Sequence, residues 1–198
     1  MTVALGLAGC LGTSPTARFY HLTPLEEAGA DAPEPDAPEP AASEASAAAA
    51  SAVHVAAVDL PEYLRVPQIV TRIGGNELAL AEYQRWGEPL EANLGDVLAR
   101  NLTQLLPDRP VTTPRWGPGG AQQVVRVAVT RFEAEAGTVT LEALWSVAAP
   151  RTPAEASTRS VYQQPVERSE DRYRAVVRAM SAAVADLARD VAAAIESR

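Results

Sequence analysis

The chain has 198 residues, which is enough for one domain of ordinary size with tails. Its 47% apolar residues can build a core, whereas two histidines and a single cysteine argue against a zinc cluster, a disulfide scaffold or a Cys/His nucleophile pair. The net charge of −8, with no basic stripe to offset phosphate charge, argues against a nucleic-acid-binding protein.

The N-terminus is apolar and leads to the single cysteine. Residues 1–9 are typical of the second half of a secretory signal peptide, whose true start we expect upstream, and they are too short to span a bilayer. Leu7-Ala8-Gly9-Cys10 resembles the bacterial lipobox, so we predict a lipid on Cys10 and a tether over residues 10–18; the alternative is a lone thiol in a frayed tail. By resemblance to the sorting rule of such lipoproteins, Leu11 in place of an aspartate favours the outer membrane.

An acidic, Ala/Pro-rich segment occupies residues 24–52 and holds seven of the 25 acidic residues. It has little to bury and repels itself, so we predict a disordered insert, with a transient helix over Ala45–Ala52 as an option. Phe19–Leu22 precedes it and is largely apolar. If that segment is a first strand, only Leu11–Arg18 forms the tether, with a reach of at most about 28 Å at roughly 3.5 Å per residue.

Strand and helix patterns alternate from Val53 onward. Apolar, β-branched or alternating runs predict strands at 53–58, 68–72, 77–82, 110–112, 124–132, 138–147 and 158–165, with turns at Gly74-Gly75-Asn76 and Glu135-Ala136-Gly137. Helical spacing predicts one helix of about 18 residues that ends before Pro107 and another over 173–195. The apolar stripe of the second is interpreted as core, the alternative being a seam for a partner. We therefore predict an α+β two-layer sandwich, with two helices on one face of a mostly antiparallel sheet, forming a single domain over 19–198.

The sequence gives little indication of catalysis. His21 and His54 have no sequence partner for general-base chemistry, and neither a Gly-x-Ser-x-Gly elbow nor a phosphate loop is present. Glu82 and Glu88 could form an acid/base pair, but Arg85 between them favours a structural ion pair. We predict no enzymatic activity, no metal site and no cofactor beyond the lipid on the cysteine.

The most unusual stretch ends in Arg85-Trp86-Gly87-Glu88-Pro89-Leu90. Pro89 suits the first turn of a helix, and Glu88 is favoured there by the helix dipole. Arg85 and Trp86 could stack or fork onto a carboxylate and fix the corner between hairpin and helix. Two interpretations stay open, a structural corner and a docking surface.

These motifs together resemble the PqiC-type auxiliary lipoproteins of ABC-type and MCE lipid transport. The matching segments are Cys10, Tyr20–Leu22, Leu60–Leu64, Pro67–Arg72, Asn76 and Arg85–Leu90. The motif positions that the resemblance makes candidates for docking or structure are Tyr63, Pro67, Arg72, Asn76, Arg85, Trp86, Glu88 and Pro89. Val66 stands where the family usually has arginine, with Arg65 one place early, so no role is carried over to Val66.

The resemblance implies an outer-membrane lipoprotein that faces the periplasm of a Gram-negative bacterium. It would dock, as a homo-oligomer, onto a membrane-spanning MCE-domain protein and its permease, support lipid transport between the membranes and help maintain envelope integrity. Two alternatives remain: an assembly lipoprotein of another envelope machine for lipopolysaccharide or secretion, and a direct periplasmic carrier of lipid.

Overall fold

The predicted signal peptide, Cys10 and most of the acidic insert lie outside the residues that the structure describes. In the computed structural model these are residues 15–25, 52–117, 120–150 and 157–197. At the margins of the insert, Pro24 and Ala52 are buried, and the N–H of Leu25 donates a hydrogen bond to Oδ1 of Asn101 (2.9 Å). These three residues of the 24–52 segment therefore pack with the domain.

The described ranges contain eight strands, two α-helices and one short 3₁₀ turn. The strands are β1 (Arg18–Tyr20), β2 (Val53–Val55), β3 (Gln68–Arg72), β4 (Leu78–Trp86), β5 (Val111–Thr112), β6 (Gln123–Glu135), β7 (Thr138–Ala148) and β8 (Thr158–Pro165). The helices are α1 (Leu90–Leu105) and α2 (Arg172–Glu196), and the 3₁₀ turn spans Glu62–Leu64. The strand and helix predictions are confirmed, although β2 is shorter than expected and β4 extends to Trp86.

The sheet is organised around β6. One edge of β6 pairs with β7, which pairs in turn with β8, while the other edge pairs first with β2 and then with β3. From there the sheet continues through β2 to β5 and through β3 and β4 to β1. The α+β fold is confirmed; the sheet is mixed, because the longer pairings are antiparallel and those of β1 with β4 and of β2 with its neighbours are parallel.

A tight turn and a bulge set the register of the central hairpin. Ala136 and Gly137 have φ values of 47° and 84°, as a two-residue turn of matching twist between β6 and β7 requires. The register shifts between Val129 and Arg131, so the inward positions change from odd to even numbers along β6. Phe132 is therefore packed in the core and Glu133 projects from the opposite face of the sheet.

The two helices contact each other and pack on the sheet, α2 against β6, β7 and β8 and α1 against β2 and β5. The apolar stripe of α2 is core, as predicted: its buried members are Val176, Val177, Met180, Val184, Leu187, Val191 and Ile195. Asp171 caps the start of α2, since its side chain accepts a hydrogen bond from the N–H of Arg174 (3.0 Å). Within the described ranges, no helix combines the length and apolarity needed to cross a bilayer.

Candidate functional site

Two of the sequence motifs meet where β1 joins β4. Tyr20 lies beside Trp86 in the parallel pairing, and the N–H of Gly87 donates to the carbonyl of Tyr20 (2.9 Å). The ring of His21 then lies against Gly87, with its Nδ1 3.5 Å from Oε1 of Glu88. The N-terminal motif and the Arg85–Leu90 motif are therefore two halves of one contact.

The segment His21–Leu25, here termed the N-terminal strap, follows the groove between the helices. Three of its N–H groups donate to side-chain oxygens on the helices: Leu22 to Asn93 (2.7 Å), Thr23 to Ser181 (3.0 Å) and Leu25 to Asn101 (2.9 Å). The spacing fits, because three extended residues cover about 10 Å and the eight helical residues from Asn93 to Asn101 cover about 12 Å. The strap thus joins the segment that follows the predicted tether to both helices.

Asp171 ties β1 to the start of α2. Its carboxylate accepts hydrogen bonds from Arg18 (3.0 Å) and from the hydroxyl of Tyr20 (3.4 Å), in addition to its capping bond. The pKa of this carboxyl lies below its usual range. The largest cause is the hydrogen bond from the N–H of Arg174, and the positive charges of Arg18 and Arg174 add to it. The N-terminal part of the domain is therefore fixed to the sheet and to both helices.

A surface recess of about 460 Å³, here termed the motif pocket, opens between β4, α1 and the segment before β3. Four of the predicted motif residues line it, namely Pro67, Trp86, Glu88 and Pro89, together with Arg65, Val66, Leu90 and Glu91. The backbone N–H of Trp86 donates to the carbonyl of Pro67 (2.8 Å), which joins two walls. Its apolar floor and rim of two carboxylates suit a partner's side chain or short peptide segment.

Arg65 supplies the positive charge at the rim of the motif pocket. It forms ion pairs with Asp59 (2.8 Å) and Glu91 (3.2 Å) and donates from Nε to the carbonyl of Leu60 (2.9 Å). Because these contacts reach from the turn before β3 to the first turn of α1, Arg65 connects the two sides of the recess.

Two motif residues lie apart from this pocket. Arg85 and Trp86 are neighbours on a strand, so their side chains point to opposite faces. The expected joint contact with a carboxylate is not formed among the described residues, and Nε of Arg85 donates instead to the carbonyl of Glu82 (3.3 Å). Asn76 is exposed at the tip of the β3–β4 hairpin.

Tyr63 and Arg72 belong to a second cluster, centred on the fully buried Glu133. The hydroxyl of Tyr63 donates to Oε2 of Glu133 (2.6 Å), and Nε of Arg72 donates to Oε1 (2.7 Å). Arg131 donates to the same Oε1 (2.9 Å) and pairs with Glu135 (2.7 Å). This cluster connects the 3₁₀ turn, β3 and β6.

The contacts within this cluster determine the protonation states of Glu133 and Tyr63. Burial alone would raise the pKa of Glu133, but the hydrogen bonds from Tyr63 and Arg72 and the charges of Arg72 and Arg131 outweigh it, so the pKa is lowered. Burial and the carboxylate both raise the pKa of Tyr63. At neutral pH the carboxylate is therefore ionised and the phenol neutral, which suits a structural tie.

Glu133 and Arg131 are absent from the sequence prediction. The available signal was an acid between two apolar residues, Phe132-Glu133-Ala134, in the longest strand of the sheet. A charge in such a run needs a partner, but the sequence does not indicate which arginine supplies it. Among the residues that the structure describes, no group of three His, Cys, Asp or Glu side chains could hold a metal ion.

Comparison with known proteins gives the family. The model of the family described as "ABC-type transport auxiliary lipoprotein component" matches residues 35–192. The crystal structure of an uncharacterized protein is similar, with 18% identity, a TM-score of 0.71 and coverage of 91% of this chain and 99% of that one. A Xanthomonas campestris protein of the DUF330 family, which is the same family, has 19% identity, a TM-score of 0.60 and coverage of 90% of each chain.

No curated protein matches this chain. The two structural similarities lie under 25% identity and therefore bear on the fold, whereas the family model matches most of the sequence directly. The match of the family model contains α1, every strand except β1, and α2 as far as residue 192. The chain belongs to the family of ABC-type transport auxiliary lipoprotein components.

Proposed function

We propose that this chain is a non-enzymatic accessory subunit of an MCE/ABC-type intermembrane lipid transport system. In this proposal it is attached to the outer membrane by a lipid on Cys10, faces the periplasm and docks, as a homo-oligomer, onto the MCE-domain protein that forms the conduit. The observation that carries the proposal is the match to the transport auxiliary lipoprotein family over residues 35–192. The MCE partner and the outer membrane come from the motif resemblance.

The place of β1 supports attachment close to the membrane. Because β1 begins at Arg18, the chain between Cys10 and the sheet reaches at most about 28 Å. The strap and Asp171 then join this end of the chain to both helices. A lipid on Cys10 would therefore hold the folded domain near the bilayer surface, where several acyl chains give effectively permanent attachment at about 0.8 kcal/mol per buried methylene.

The motif pocket supports docking on a protein. Half of the predicted motif residues line it, although they come from two separate stretches of sequence. Trp86 lies beneath it at 5% exposure, while Glu91 at the rim keeps about 40% of its side chain exposed. A partner that inserts a side chain would bury apolar surface in the recess and pair with the charges around it.

Recovery of the partner from envelope membranes tests the proposal. We expect the tagged, full-length chain to recover an MCE-domain protein. Glu91→Arg should reduce this recovery about tenfold, the equivalent of about 1.4 kcal/mol, while the loss of its exposed ion pair with Arg65 and of a favourable charge in the first turn of α1 lowers the free energy of unfolding by no more than about 1–2 kcal/mol. Glu167→Arg is the matched control, since Glu167 is an exposed acid paired with Arg178 outside the pocket. If the unaltered chain recovers no MCE-domain protein, the proposed partner is wrong.

Acylation tests the attachment separately. Cys10 is the single cysteine, so radiolabelled palmitate should enter the full-length protein and not the Cys10→Ala variant. Fractionation of the two membranes then tests the proposed place in the outer one. Equal labelling of both proteins contradicts attachment at Cys10. Lipid that co-purifies with residues 18–198, which lack both the cysteine and the apolar segment before it, would instead support the direct-carrier alternative.

A further inference from the structure

The motif pocket is the first of three recesses that follow one side of α1. A second recess of about 190 Å³, here termed the middle recess, shares Glu91 with the motif pocket. A third of about 270 Å³, the distal recess, shares Asp96 and Arg115 with the middle one. Because neighbouring recesses have wall residues in common, they form one continuous depression along the helix, here termed the helix groove.

The residues that α1 contributes to the helix groove lie on one side of the helix. A row with a spacing of four consists of Glu91, Gly95, Ala99 and Thr103, and the row beside it includes Asp96 and Arg100. The strap is bound by a different row, which contains Asn93 and Asn101. From Leu90 to Thr103 the groove is about 20 Å long, at 1.5 Å per helical residue.

Two ion pairs cross the helix groove and separate its three recesses. The wall opposite α1 comes from three connections, namely residues 56–58 after β2, 65–67 before β3 and 113–116 after β5. Arg65 of this wall lies 3.2 Å from Glu91, and Arg115 lies 3.9 Å from Asp96. The middle recess between the two pairs has otherwise small or apolar walls of alanine, glycine, valine and proline.

Trp116 lies at the far end of the helix groove, in the distal recess. It is 80% exposed, more than any other large apolar side chain in the described ranges. Its backbone is held in a turn, since its N–H donates to the carbonyl of Thr113 (3.0 Å) and the N–H of Gly117 to that of Pro114 (3.2 Å). A tryptophan ring beside a groove is typical of an interface, because contact with a partner buries its apolar surface.

We propose that the helix groove holds an extended segment of the docked protein, with Trp116 packed over its far end. The inference rests on the proposed function and extends the contact from the motif pocket along α1. About six extended residues, at roughly 3.3 Å each, span the groove. The two ion pairs are five helical residues apart, about 7.5 Å. Alternate side chains of an extended segment are about 7 Å apart, so they can enter successive recesses.

The two ion pairs favour a polypeptide over an acyl chain as the occupant. An acyl chain laid across them would remove water from four charged groups without giving a hydrogen bond in return, which is unfavourable. The N–H and C=O groups of an extended peptide can bond to the carboxylate and guanidinium at each crossing. Three acids and three arginines line the groove. We therefore expect the side chains that enter the recesses to be apolar, and the one in the middle recess to be small.

Gly95 allows a test that does not alter the motif pocket. Among the described residues, only Cγ2 of Val58 lies within 4 Å of a β-carbon at Gly95, at 3.7 Å, an ordinary contact. Gly95→Met should therefore fold with a melting temperature at or above that of the unaltered chain, since it also removes a glycine from a helix. The new side chain would fill the middle recess. We expect the tagged, full-length variant to recover about tenfold less MCE-domain protein from envelope membranes.

Gly95→Ala is the matched control for this variant. Its single methyl group leaves most of the middle recess open, so recovery should stay within about twofold of the unaltered chain. If both variants recover as much MCE-domain protein as the unaltered chain, the segment does not occupy the groove and the inference is wrong.

Trp116 tests the far end of the groove independently. Because its ring is 80% exposed, Trp116→Ala should leave the melting temperature unchanged and lower recovery about tenfold, as for an interface hot spot. Trp116→Phe keeps an aromatic ring and should retain most of the recovery. Val161→Ala is the control, since Val161 is 52% exposed on β8 and does not line the groove.

Cross-linking identifies the occupant. The photoreactive amino acid p-benzoylphenylalanine is placed at position 116 of the full-length chain, and cells are irradiated before the membranes are isolated. We expect an adduct with the MCE-domain protein. An adduct with a second copy of this chain or with phospholipid, or none while recovery is intact, would overturn the inference.

The remaining outcomes separate this inference from the proposed function. If Glu91→Arg lowers recovery while Gly95→Met and Trp116→Ala leave it unchanged, the partner docks at the motif pocket alone, and the extended contact is wrong while the proposed function stands. If the unaltered chain recovers no MCE-domain protein, the proposed partner is wrong and the inference fails with it.

Discussion

His21 and Gly87 lie so close together that a β-carbon placed on Gly87 would fall 2.1 Å from Nε2 of the His21 ring. This close approach allows the strap to leave β1 and turn into the groove between α1 and α2. It also explains why two motifs that are about 65 residues apart in the sequence depend on each other.

Gly87→Ala tests this contact. The added methyl group displaces the His21 ring, and we expect the free energy of unfolding to fall by about 1–3 kcal/mol, as for other overpacked sites. Because His21 is partly exposed and can rotate away, the lower end of that range is expected. Gly75→Ala is the control, since a β-carbon at Gly75 has no neighbour within 4 Å. Urea unfolding of both variants gives the comparison.

A double-mutant cycle shows whether the ring is the cause. In the His21→Ala background, Gly87→Ala should cost much less than in the unaltered protein, because the clashing ring is gone. Equal costs in the two backgrounds would mean that His21 does not restrict Gly87.

Trp86→Ala and Arg85→Ala should have different effects although the residues are adjacent. Removal of the buried Trp86 ring leaves a cavity and should destabilise the protein by about 3–5 kcal/mol. Arg85 bonds a nearby carbonyl at the surface, so its removal should change stability by about 0.5 kcal/mol or less.

Melting curves measured together with recovery of the MCE-domain protein separate a structural role from docking at this corner. Loss of recovery by Arg85→Ala at an unchanged melting temperature would assign Arg85 to a docking surface. A large fall in the melting temperature of Arg85→Ala would contradict the surface position described here.

Glu133→Gln should destabilise the fold by about 3 kcal/mol, because it removes the buried negative charge and leaves its two arginine partners in place. The arginines at positions 72 and 131 lose their shared carboxylate, and the amide nitrogen of the new side chain faces a donor. Glu167→Gln, in an exposed pair, should cost less than about 1 kcal/mol. Denaturant unfolding at pH 7 measures both.

The lowered pKa of Glu133 predicts that the stability of the protein falls in acid. The folded pKa of Glu133 lies below its ordinary value of 4.5, so the unfolded chain takes up a proton first as the pH falls. The contribution of Glu133 to the free energy of unfolding is therefore complete above about pH 4.5 and is lost as the pH falls through the folded pKa. The slope of unfolding free energy against pH in this range should be smaller in Glu133→Gln. Identical slopes would show that Glu133 does not contribute.

The lowered pKa of His54 predicts that stability also depends on pH in a second, higher range. Burial lowers the pKa of His54 from its ordinary value of 6.5, and its Nδ1 lies 3.0 Å from Oγ1 of Thr112. The unfolded chain is protonated first as the pH falls, so stability decreases from about pH 6.5 down to the folded pKa and then levels off. Chemical unfolding between pH 5 and 8 should show this slope in the unaltered protein and not in His54→Gln.

Local patterns in the sequence determined most of the elements. Helical spacing of apolar residues gave the stripe of α2, and short turns containing glycine gave the β3–β4 and β6–β7 hairpins, because both depend on residues close in sequence. The family could also be inferred, since its motifs are contiguous. The same information placed Tyr63, Arg72, Trp86 and Glu88 among the candidates without indicating which of them share a contact.

Tertiary structure decided those partners. Tyr63 and Arg72 meet at Glu133 because β3 lies parallel to the end of β6, and the bulge after Val129 sends the Glu133 carboxylate to the face where both can reach it. Arg85 and Trp86, adjacent in sequence, are separated by the alternation of a strand. Such contacts depend on sheet order and register, which join residues 60 or more positions apart and leave no periodicity in the sequence.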